Sequence, residues 1–544
     1  MFTRIVKVKK KDKTLGYLRL VENYKEKGKT KQRVIANFGN ADKLNVRRID
    51  SAISSLLKFS SQYFYDIRKL TSDRVQYLGE ILAAEVFWEG FNLSGILDRF
   101  MGNDTVLVKA MVFSRLVNPV SKLKLSREYH RLAIEGLFDR EYDYQHFYRA
   151  MDSLIEHKET IEEELHEQVK DLFNLNLNLV FYDITSSYFE GKRCSLSSHG
   201  YSRDHRRDRE QILLGLLVTD EGIPMAHQVF PGNVADKTTV QGLIKDVSSR
   251  FGIKRCIFVV DRGMVSKDNL AFLEESGYDY IVALRKRARA VFEPIVSGAE
   301  KEYREIDENL VAYETTSEHF PNDRIIVCYN GEKSTIEKEH RQRRLEKAYK
   351  ELENIQQQYI TGKKKDREKL LKQAARLLER KKLTRFFTIR TDEKEGLFFE
   401  YNTEKTEFEN LLDGKFILRT NEKTMKMEDV ISAYKNLARV EKAFCELKDF
   451  IELRPIRHFA ESRVRAHVFI CVLAYLIEIA IELTLKRKNI PITAREALNQ
   501  LSEIKLISQE IENMKIKTVC RPKPETRKLI NALNITLPKE KIFR

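Results

Sequence analysis

A mixed α/β fold, a mixed sheet with helices packed on it, is what this sequence predicts. Three observations carry the expectation. Between residues 183 and 284 the strand signals come first as neighbouring antiparallel segments and then as a β-α-β unit. One of these strands, residues 256–260, is the unbroken apolar run CIFVV. On either side of this region, residues 72–172 and 427–487 carry apolar residues at helical spacing.

The totals set the frame for this fold. A chain of 544 residues with 42% hydrophobic and 10% aromatic residues is long enough for several domains with real cores. Lysine and arginine number 97 against 81 acids, a net charge of +16, and the positive charge recurs in blocks. A polyanion, nucleic acid above all, is the expected partner. The six cysteines form no CxxC pair and no cluster with histidine at zinc spacing, so a reducing, cytoplasmic setting without structural zinc is expected. MFTRIVKVKKKDK at the N-terminus has charge but no apolar segment of the secretory kind. The longest apolar run, residues 468–483, contains Glu478 and Glu482 and is short for a membrane span, which predicts a buried core helix and no membrane partner.

Taken in order, residues 14–39 predict two strands around a Lys-Gly turn with basic residues on both sides. A DNA-contacting hairpin and an ordinary solvated edge both fit that stretch. Residues 72–172 predict helices, separated at Asn118-Pro119, with Trp88 as packed core. Residues 177–189, LNLVFYDITSSYF, predict a core strand with Asp183 in its middle. Strands at 212–219 and 225–230 flank the turn Asp220-Glu221-Gly222, and residues 237–250 predict a helix. The run 256–261 is a strand ending on Asp261, followed by a helix at 266–276 and a strand at 280–284. Two strands, 310–315 and 324–329, precede a charged helical hairpin over 335–382 broken at Gly362, with a narrow apolar seam. Residues 413–421 predict a strand, and 427–450 and 461–487 two long helices. The tail from residue 495, basic and interrupted by Pro522, Pro524 and Pro538, predicts a small helical appendage.

An acid on a buried strand is costly unless it is paired, hydrogen-bonded or holding a metal. Asp183 and Asp261 sit on two predicted core strands, and Glu441 lies in a predicted helix. Adjacent strands and a packed helix bring three such carboxylates together, and divalent cations would neutralise their repulsion. Hard oxygen ligands suit Mg²⁺ or Mn²⁺. With two ions per site, one activates the attacking oxygen and the other stabilises the leaving oxygen of a phosphodiester. Tyr434, Leu437, Glu441 and Lys448 fall near one stripe of the predicted helix, so Tyr434 and Lys448 could hold phosphates on either side of the acid. The plain alternative for Glu441 is a surface ion pair with Arg439, Lys442 or Lys448. His205 lies in a basic run with Arg203, Arg206, Arg207 and Arg209 that tracks a DNA backbone or forms a solvated loop. His227, His458 and His467 read as packing or hydrogen-bonding histidines. Asn233 and Asp236 support a metal site or simply form turns and caps.

In order and detail these stretches resemble the DDE transposases of bacterial insertion sequences, from the group with a Tyr-Arg-Glu-Lys signature on the helix of the third acid. The matching pieces are FYDITSSYFEG around Asp183, HGYSRDHRRDREQILLGLLVTDEGIPMAHQVFPGNVAD, FVVDRGMVSKDNLAFLEESGYDYIVALR around Asp261, DGKFILRTN, and YKNLARVEKAFCELKDFIELRPIRH around Glu441. Weaker similarity reaches upstream to Arg115, to Asn118-Pro119-Val120-Ser121-Lys122, and to Tyr148-Arg149. The resemblance implies an RNase H-like core interrupted by an insertion domain. It implies metal-dependent cutting at terminal inverted repeats, joining of the 3′ ends to target DNA, and a homodimer on paired ends. By position it makes Asp183, Asp261 and Glu441 the catalytic metal ligands, with Tyr434, Lys448, Arg439, Arg203, Arg206 and Arg207 on DNA. The implied organisation begins with a basic β-hairpin region (1–60) and a helical DNA-binding or dimerisation region (61–170). The RNase H-like core follows as two segments, 171–290 and 412–490, on either side of the insertion with its helical hairpin (291–411). A basic C-terminal region (491–544) ends the chain.

Two departures stand out. The signature places an arginine where this chain has Leu437, so that a phosphate contact is missing or is supplied by Arg439 or Lys435. The insertion has no tryptophan, and Phe386, Phe387, Phe398 or a tyrosine would have to stack on a displaced base. Two other functions remain open at this point, a nuclease of the same fold that cuts without joining and an inactive DNA-binding regulator.

Overall fold

The computed structural model describes residues 1–544 apart from 11–12, 60–69, 174–178, 192–193, 235–249, 252–255, 261–265, 285–288, 298–301, 512–513, 540 and 544. The chain divides into two units, Met1–Arg74 with Ile507–Thr518 and Glu540–Arg544, and Val75–Leu506 with Val519–Lys539. In the first unit β1 (Phe2–Lys10), β2 (Lys13–Glu26) and β3 (Lys29–Asn40) form an antiparallel sheet, followed by α1 (Val46–Leu57). The expected hairpin is β2 and β3. Its turn residues Lys27 and Gly28 both have positive φ, 48° and 74°, which matches the twist of the strands they join. The strand β1 extends it to three.

Past β4 (Thr71–Tyr77) come the predicted helices: α2 (Gly79–Gly90), α3 (Leu93–Met101), α4 (Thr105–Val117), α5 (Lys122–Glu128), α6 (Tyr144–Glu156) and α7 (Lys158–Phe173). Asn118 and Pro119 do separate α4 from α5, and Ser121 caps α5 by accepting from the Lys124 amide at 3.2 Å. Trp88 is fully buried, edge-on to Phe113 with ring centroids 5.5 Å apart.

The central region then supplies β5 (Leu179–Tyr188), β6 (Gln211–Thr219), β7 (Pro224–Pro231), β8 (Ile257–Val260), α8 (Lys267–Glu275), β9 (Asp279–Ala283) and α9 (Arg289–Val296). Next are β10 (Arg304–Asp307), β11 (Leu310–Thr315), β12 (Arg324–Asn330), α10 (Gly331–Ile360), α11 (Arg367–Lys381), β13 (Phe387–Asp392), β14 (Gly396–Tyr401), α12 (Thr403–Leu412) and β15 (Lys415–Thr420). The chain closes with α13 (Met427–Lys435), α14 (Ala438–Cys445), α15 (Glu461–Arg487), α16 (Ala494–Leu501), β16 (Lys505–Ile511), β17 (Met514–Val519), α17 (Pro524–Ala532) and β18 (Lys541–Phe543). The helix expected over 237–250 lies almost wholly outside the described residues.

Among the described residues nine strands make one mixed sheet in the order β10-β11-β12-β15-β9-β8-β5-β6-β7. The pairs β9–β8 and β8–β5 are parallel and the other pairs antiparallel. The stretch expected to interrupt the core therefore contributes β10, β11 and β12 to the same sheet. Its helical hairpin, α10 and α11, keeps a separate apolar centre of Leu345, Leu352, Leu370, Ala374 and Leu378 against β13 and β14. Close packing within the sheet shows at Gly215 of β6, where any Cβ would lie 2.5 Å from the Tyr182 hydroxyl oxygen.

Two expectations need correction. The tail is not purely helical, because β16, β17 and β18 join β4 in a four-stranded sheet. The segment MKIKTV alternates apolar and basic residues, a strand period that the prolines nearby obscured. The helix expected over 427–450 is broken: α13 stops at Lys435, α14 starts at Ala438, and Glu446–Phe450 forms a π-helical turn. By contrast α15 is the buried core helix its composition predicts. Among the described residues it is the helix long and apolar enough to cross a membrane, and 89% of its apolar window is buried inside the chain.

Candidate active site on the helix-covered face of the sheet

Side chains of a strand alternate between the faces of a sheet, and β5 shows which face holds Asp183. Phe181 and Phe189 pack into the core that contains Val440, Ala443, Phe444 and Leu447 of the helical segment 438–450. Val180, Tyr182 and Ile184 pack into a different core with Phe258, Val260 and Tyr280. Asp183, in phase with Phe181, lies on the face covered by α14 and α15. It is half-buried. Along the neighbouring parallel strand Phe181 pairs with Val259 and Tyr182 with Val260. Asp261, the next residue in sequence, falls outside the described residues, so the expected second acid has no described position.

Glu441 is exposed on α14, while its neighbours Val440, Ala443 and Phe444 are buried. The far end of this helical segment is anchored by Arg115, itself only 6% exposed. Its guanidinium donates to the carbonyls of Ile451 at 3.4 Å, Glu452 at 3.2 Å and Val120 at 3.0 Å. A cation there satisfies carbonyls left open at a helix C-terminus and complements its dipole.

The other members of the expected stripe do not share one surface. Tyr434 is half-buried and stacks on Phe416 at 6.1 Å. Leu437 is 7% exposed and belongs to the main core. Lys435 is paired with Asp307 at 3.3 Å, and Arg439 is half-buried. Lys448 is half-buried with its side chain 9% exposed, and its Nζ lies 2.8 Å from Asp204 Oδ1. Burial holds its ammonium below the usual lysine range, and the bond to Asp204 opposes that shift.

Asp204 is the site residue that sequence reasoning missed. Its side chain is only 3% exposed and accepts from Arg454 as well as Lys448. Inside the run SRDHRRDRE an acid reads as one more solvated charge, and nothing in the sequence separates Asp204 from Asp208, which is exposed and pairs with Arg206 at 2.8 Å. The loop carrying Asp204 is fastened to β5, since the Arg203 amide donates to the buried Ser186 hydroxyl at 2.9 Å. On the same loop Arg203 is half-buried, Arg206 lies 5.1 Å over the Tyr188 ring, Arg207 is exposed, and His205 is exposed with φ of 57°.

The remaining candidates separate clearly. His227 is 1% exposed, with Nδ1 2.8 Å from Glu162, which also accepts from Lys158 and Arg250. Burial holds the His227 imidazole down to about 4. His467 is buried between Lys122 at 3.4 Å and the Leu453 carbonyl at 3.1 Å. His458 is half-buried, its ring 5.3 Å from that of His467 and edge-on to Tyr148 at 5.9 Å. All three are packing or hydrogen-bonding histidines, as the sequence suggested. Asn233 is exposed, and Asp236 falls outside the described residues. Phe386 and Phe387 are buried, and Phe398 is half-buried under Arg390 at 4.2 Å. The six cysteines are unbridged.

Among the described residues no group of three or more histidine, cysteine, aspartate or glutamate side chains gathers at metal-binding spacing. Asp183 and Glu441 nonetheless offer hard carboxylate oxygens from a strand and from a helix packed on the face that strand residue occupies. That donor chemistry fits Mg²⁺ or Mn²⁺.

Comparison with known proteins adds a separate line. Residues 178–477 match the family model described as "Transposase DDE domain", and residues 3–69 match the one described as "IS1634 family transposase, N-terminal domain". No curated protein matches. A solved structure described as the cryo-EM structure of the piggyBac transposase synaptic complex with hairpin DNA aligns over 78% of this chain and 79% of that one. At 8% identity and a TM-score of 0.37 the likeness is slight.

Proposed function

The chain belongs to the DDE-domain transposases of insertion sequences, and from that premise we propose that Asp183, Asp261 and Glu441 are its catalytic carboxylates on an RNase H-like sheet. One observation carries the assignment: the face of β5 that presents Asp183 is the face on which the Glu441 helix packs. The strand register supports Asp261, because the residue before it pairs with the residue before Asp183.

In this reading Asp183, Asp261 and Glu441 would hold two Mg²⁺ or Mn²⁺ ions, whose chemistry when bound would be activation of the attacking oxygen and stabilisation of the leaving oxygen at phosphorus. The chain's own contribution is placement. The β5–β8 pairing aligns Tyr182 and Val260, the residues that precede the two strand acids, the apolar residues of α14 fix the helix on the sheet, and Arg115 fixes the end of that helical segment. Asp183 directly follows Tyr182, the last β5 residue in the described β5–β8 pairing, so the acid stands at the end of that pairing. The substrate is the terminal inverted repeats of the element, cut and then joined by their 3′ ends to target DNA, with a homodimer holding paired ends. Tyr434, Arg439, Arg203, Arg206 and Arg207 supply contacts to that DNA. Leu437 supplies none, since its side chain is core.

Asp183→Asn, Asp261→Asn and Glu441→Gln should each lower Mg²⁺-dependent cleavage of element-end DNA by about a thousandfold or more while leaving end binding intact. Near-normal cleavage by any variant removes that residue from the site. Supplying pre-cut ends and a plasmid target tests joining directly. Cutting without joined products would point to a nuclease, and end binding without any cutting to a regulator.

A further inference from the structure

Lys448 and Arg454 converge on a single carboxylate. Lys448 Nζ lies 2.8 Å from Asp204 Oδ1, and Arg454 Nη1 donates to that same oxygen. Lys448 is 9% exposed and Asp204 3%, whereas Arg454, at 25%, still reaches solvent. The other Asp204 oxygen is buried and has no hydrogen-bond partner among the described residues. A lysine and an arginine around one partly satisfied anion form the donor set that recognises phosphate, one as a point charge and the other as a fork. The anion in place here belongs to the protein.

We infer that Lys448 and Arg454 form one phosphate subsite for the DNA strand, and that the Asp204 carboxylate occupies this subsite until DNA displaces it. The inference rests on the transposase reading above and extends it in two ways, adding Arg454 as a phosphate ligand and Asp204 as an internal competitor. Displacement is an exchange of one oxyanion for another on the same two cations. A phosphate oxygen takes the place of Asp204 Oδ1, and the carboxylate leaves for water with its loop. That loop is held to β5 by a backbone bond at Arg203, one residue away from Asp204. Its sequence also carries Arg206 and Arg207, so its movement would bring further cations toward the same strand. Arg454 keeps a second partner in the exposed Asp449 at 2.8 Å, so its guanidinium stays aimed across the exchange. A purely structural Asp204 would hold Lys448 in place and help binding. An internal competitor hinders it, and the two roles predict opposite signs.

The test measures binding of the full-length chain, without metal, to a pre-cut element-end duplex over a range of salt concentrations. Asp204→Asn keeps the shape and weakens the hold on both cations. Affinity at low salt should rise by about threefold to tenfold. Arg454→Gln should lower affinity and reduce the log-log salt slope by about one, the signature of one lost phosphate contact. In the Arg454→Gln background the gain from Asp204→Asn should shrink, because the competitor and its cation act as a pair. Thermal unfolding of each variant shows whether it is folded, and Arg454→Gln reads the subsite even if Asp204→Asn is unstable. Unchanged or weaker binding by a folded Asp204→Asn overturns the competitor role. An unchanged slope in Arg454→Gln overturns the subsite. If the wild type binds no element-end duplex at all, the transposase substrate is wrong and the inference falls with it. Binding without cleavage leaves the subsite testable when the catalytic reading fails.

Discussion

Replacing Leu437 by the arginine that the family signature expects should damage this protein rather than improve it. Leu437 is 7% exposed and belongs to the main core, which also holds Val440 and Ile431. Removing a buried leucine forfeits about 1.5–3 kcal/mol of burial. An arginine there brings a charge into an apolar setting, and even with its head reaching toward solvent the net cost of such a change is several kcal/mol. The sum is a loss of about 3–5 kcal/mol, worth roughly 3–5 °C in a unit of this size. Urea unfolding of Leu437→Arg beside Leu437→Met checks it, since methionine keeps the volume and should cost less than about 1.5 kcal/mol. Cleavage of end DNA, measured where the arginine variant is still folded, should not exceed that of the wild type. An unchanged urea midpoint together with faster cleavage would refute the reasoning, because it would mean that position 437 faces DNA.

Arg115→Met leaves the carbonyls of Ile451, Glu452 and Val120 without their donor and should cost about 2–4 kcal/mol in urea unfolding, with cleavage falling more than binding. Gly215→Ala should destabilise by about 1–3 kcal/mol because its Cβ meets the Tyr182 hydroxyl, and Tyr182→Phe in the same chain should recover part of that loss in a thermal melt. His227 is neutral when folded, with its pKa held down to about 4, but titrates near 6.5 when unfolded. The unfolded chain therefore binds the extra proton first. Stability should be full above about pH 6.5 and fall by about 1 kcal/mol per unit as the pH drops toward 4. His227→Gln should flatten that slope in unfolding experiments at stepped pH.

The parts of the fold that were legible in the sequence are those where one period dominates. The strand β5, the run CIFVV, the hairpin of α10 and α11, and the buried α15 each follow from a single pattern of apolar residues. Legibility failed where two patterns overlap. The segment 427–450 is helical throughout by spacing, but its continuity is a tertiary matter: Leu437 turns into the core and the helix breaks there. In the tail, prolines and positive charge masked the two-residue alternation of β17. At the candidate site the acids could be picked out because an acid in an apolar strand is conspicuous. Asp204 could not, because an acid in a basic loop is ordinary until its burial is known.

The distribution of charge carries this further. A net charge of +16 suggests a surface covered in cations, yet several of the cations that matter here are inside. Arg115 and Lys122 are 6% and 3% exposed, and the Lys448 side chain 9%, with burial and the neighbouring Arg115 charge holding the Lys122 ammonium well below the usual lysine range. They surround the end of the helical segment that carries Glu441, through the Ile451 and Glu452 carbonyls, His467 and Asp204 respectively. The histidines among them add little positive charge, since burial holds His458 down to about 3 and His467 well below its usual range. Among the described residues Asp204 is bonded to Lys448 and Arg454 together, and in the proposed subsite it is the carboxylate a phosphate would replace. Buried charges are screened less by salt than surface ones, so the Arg115 charge acts at the helix end even when the exposed basic loops are screened. In the proposed reading a polyanion drawn to that charge would arrive beside Glu441, on the helix that covers the face of the sheet where Asp183 lies, so the placement of Arg115 beneath the surface accords with the proposed placement of the acids.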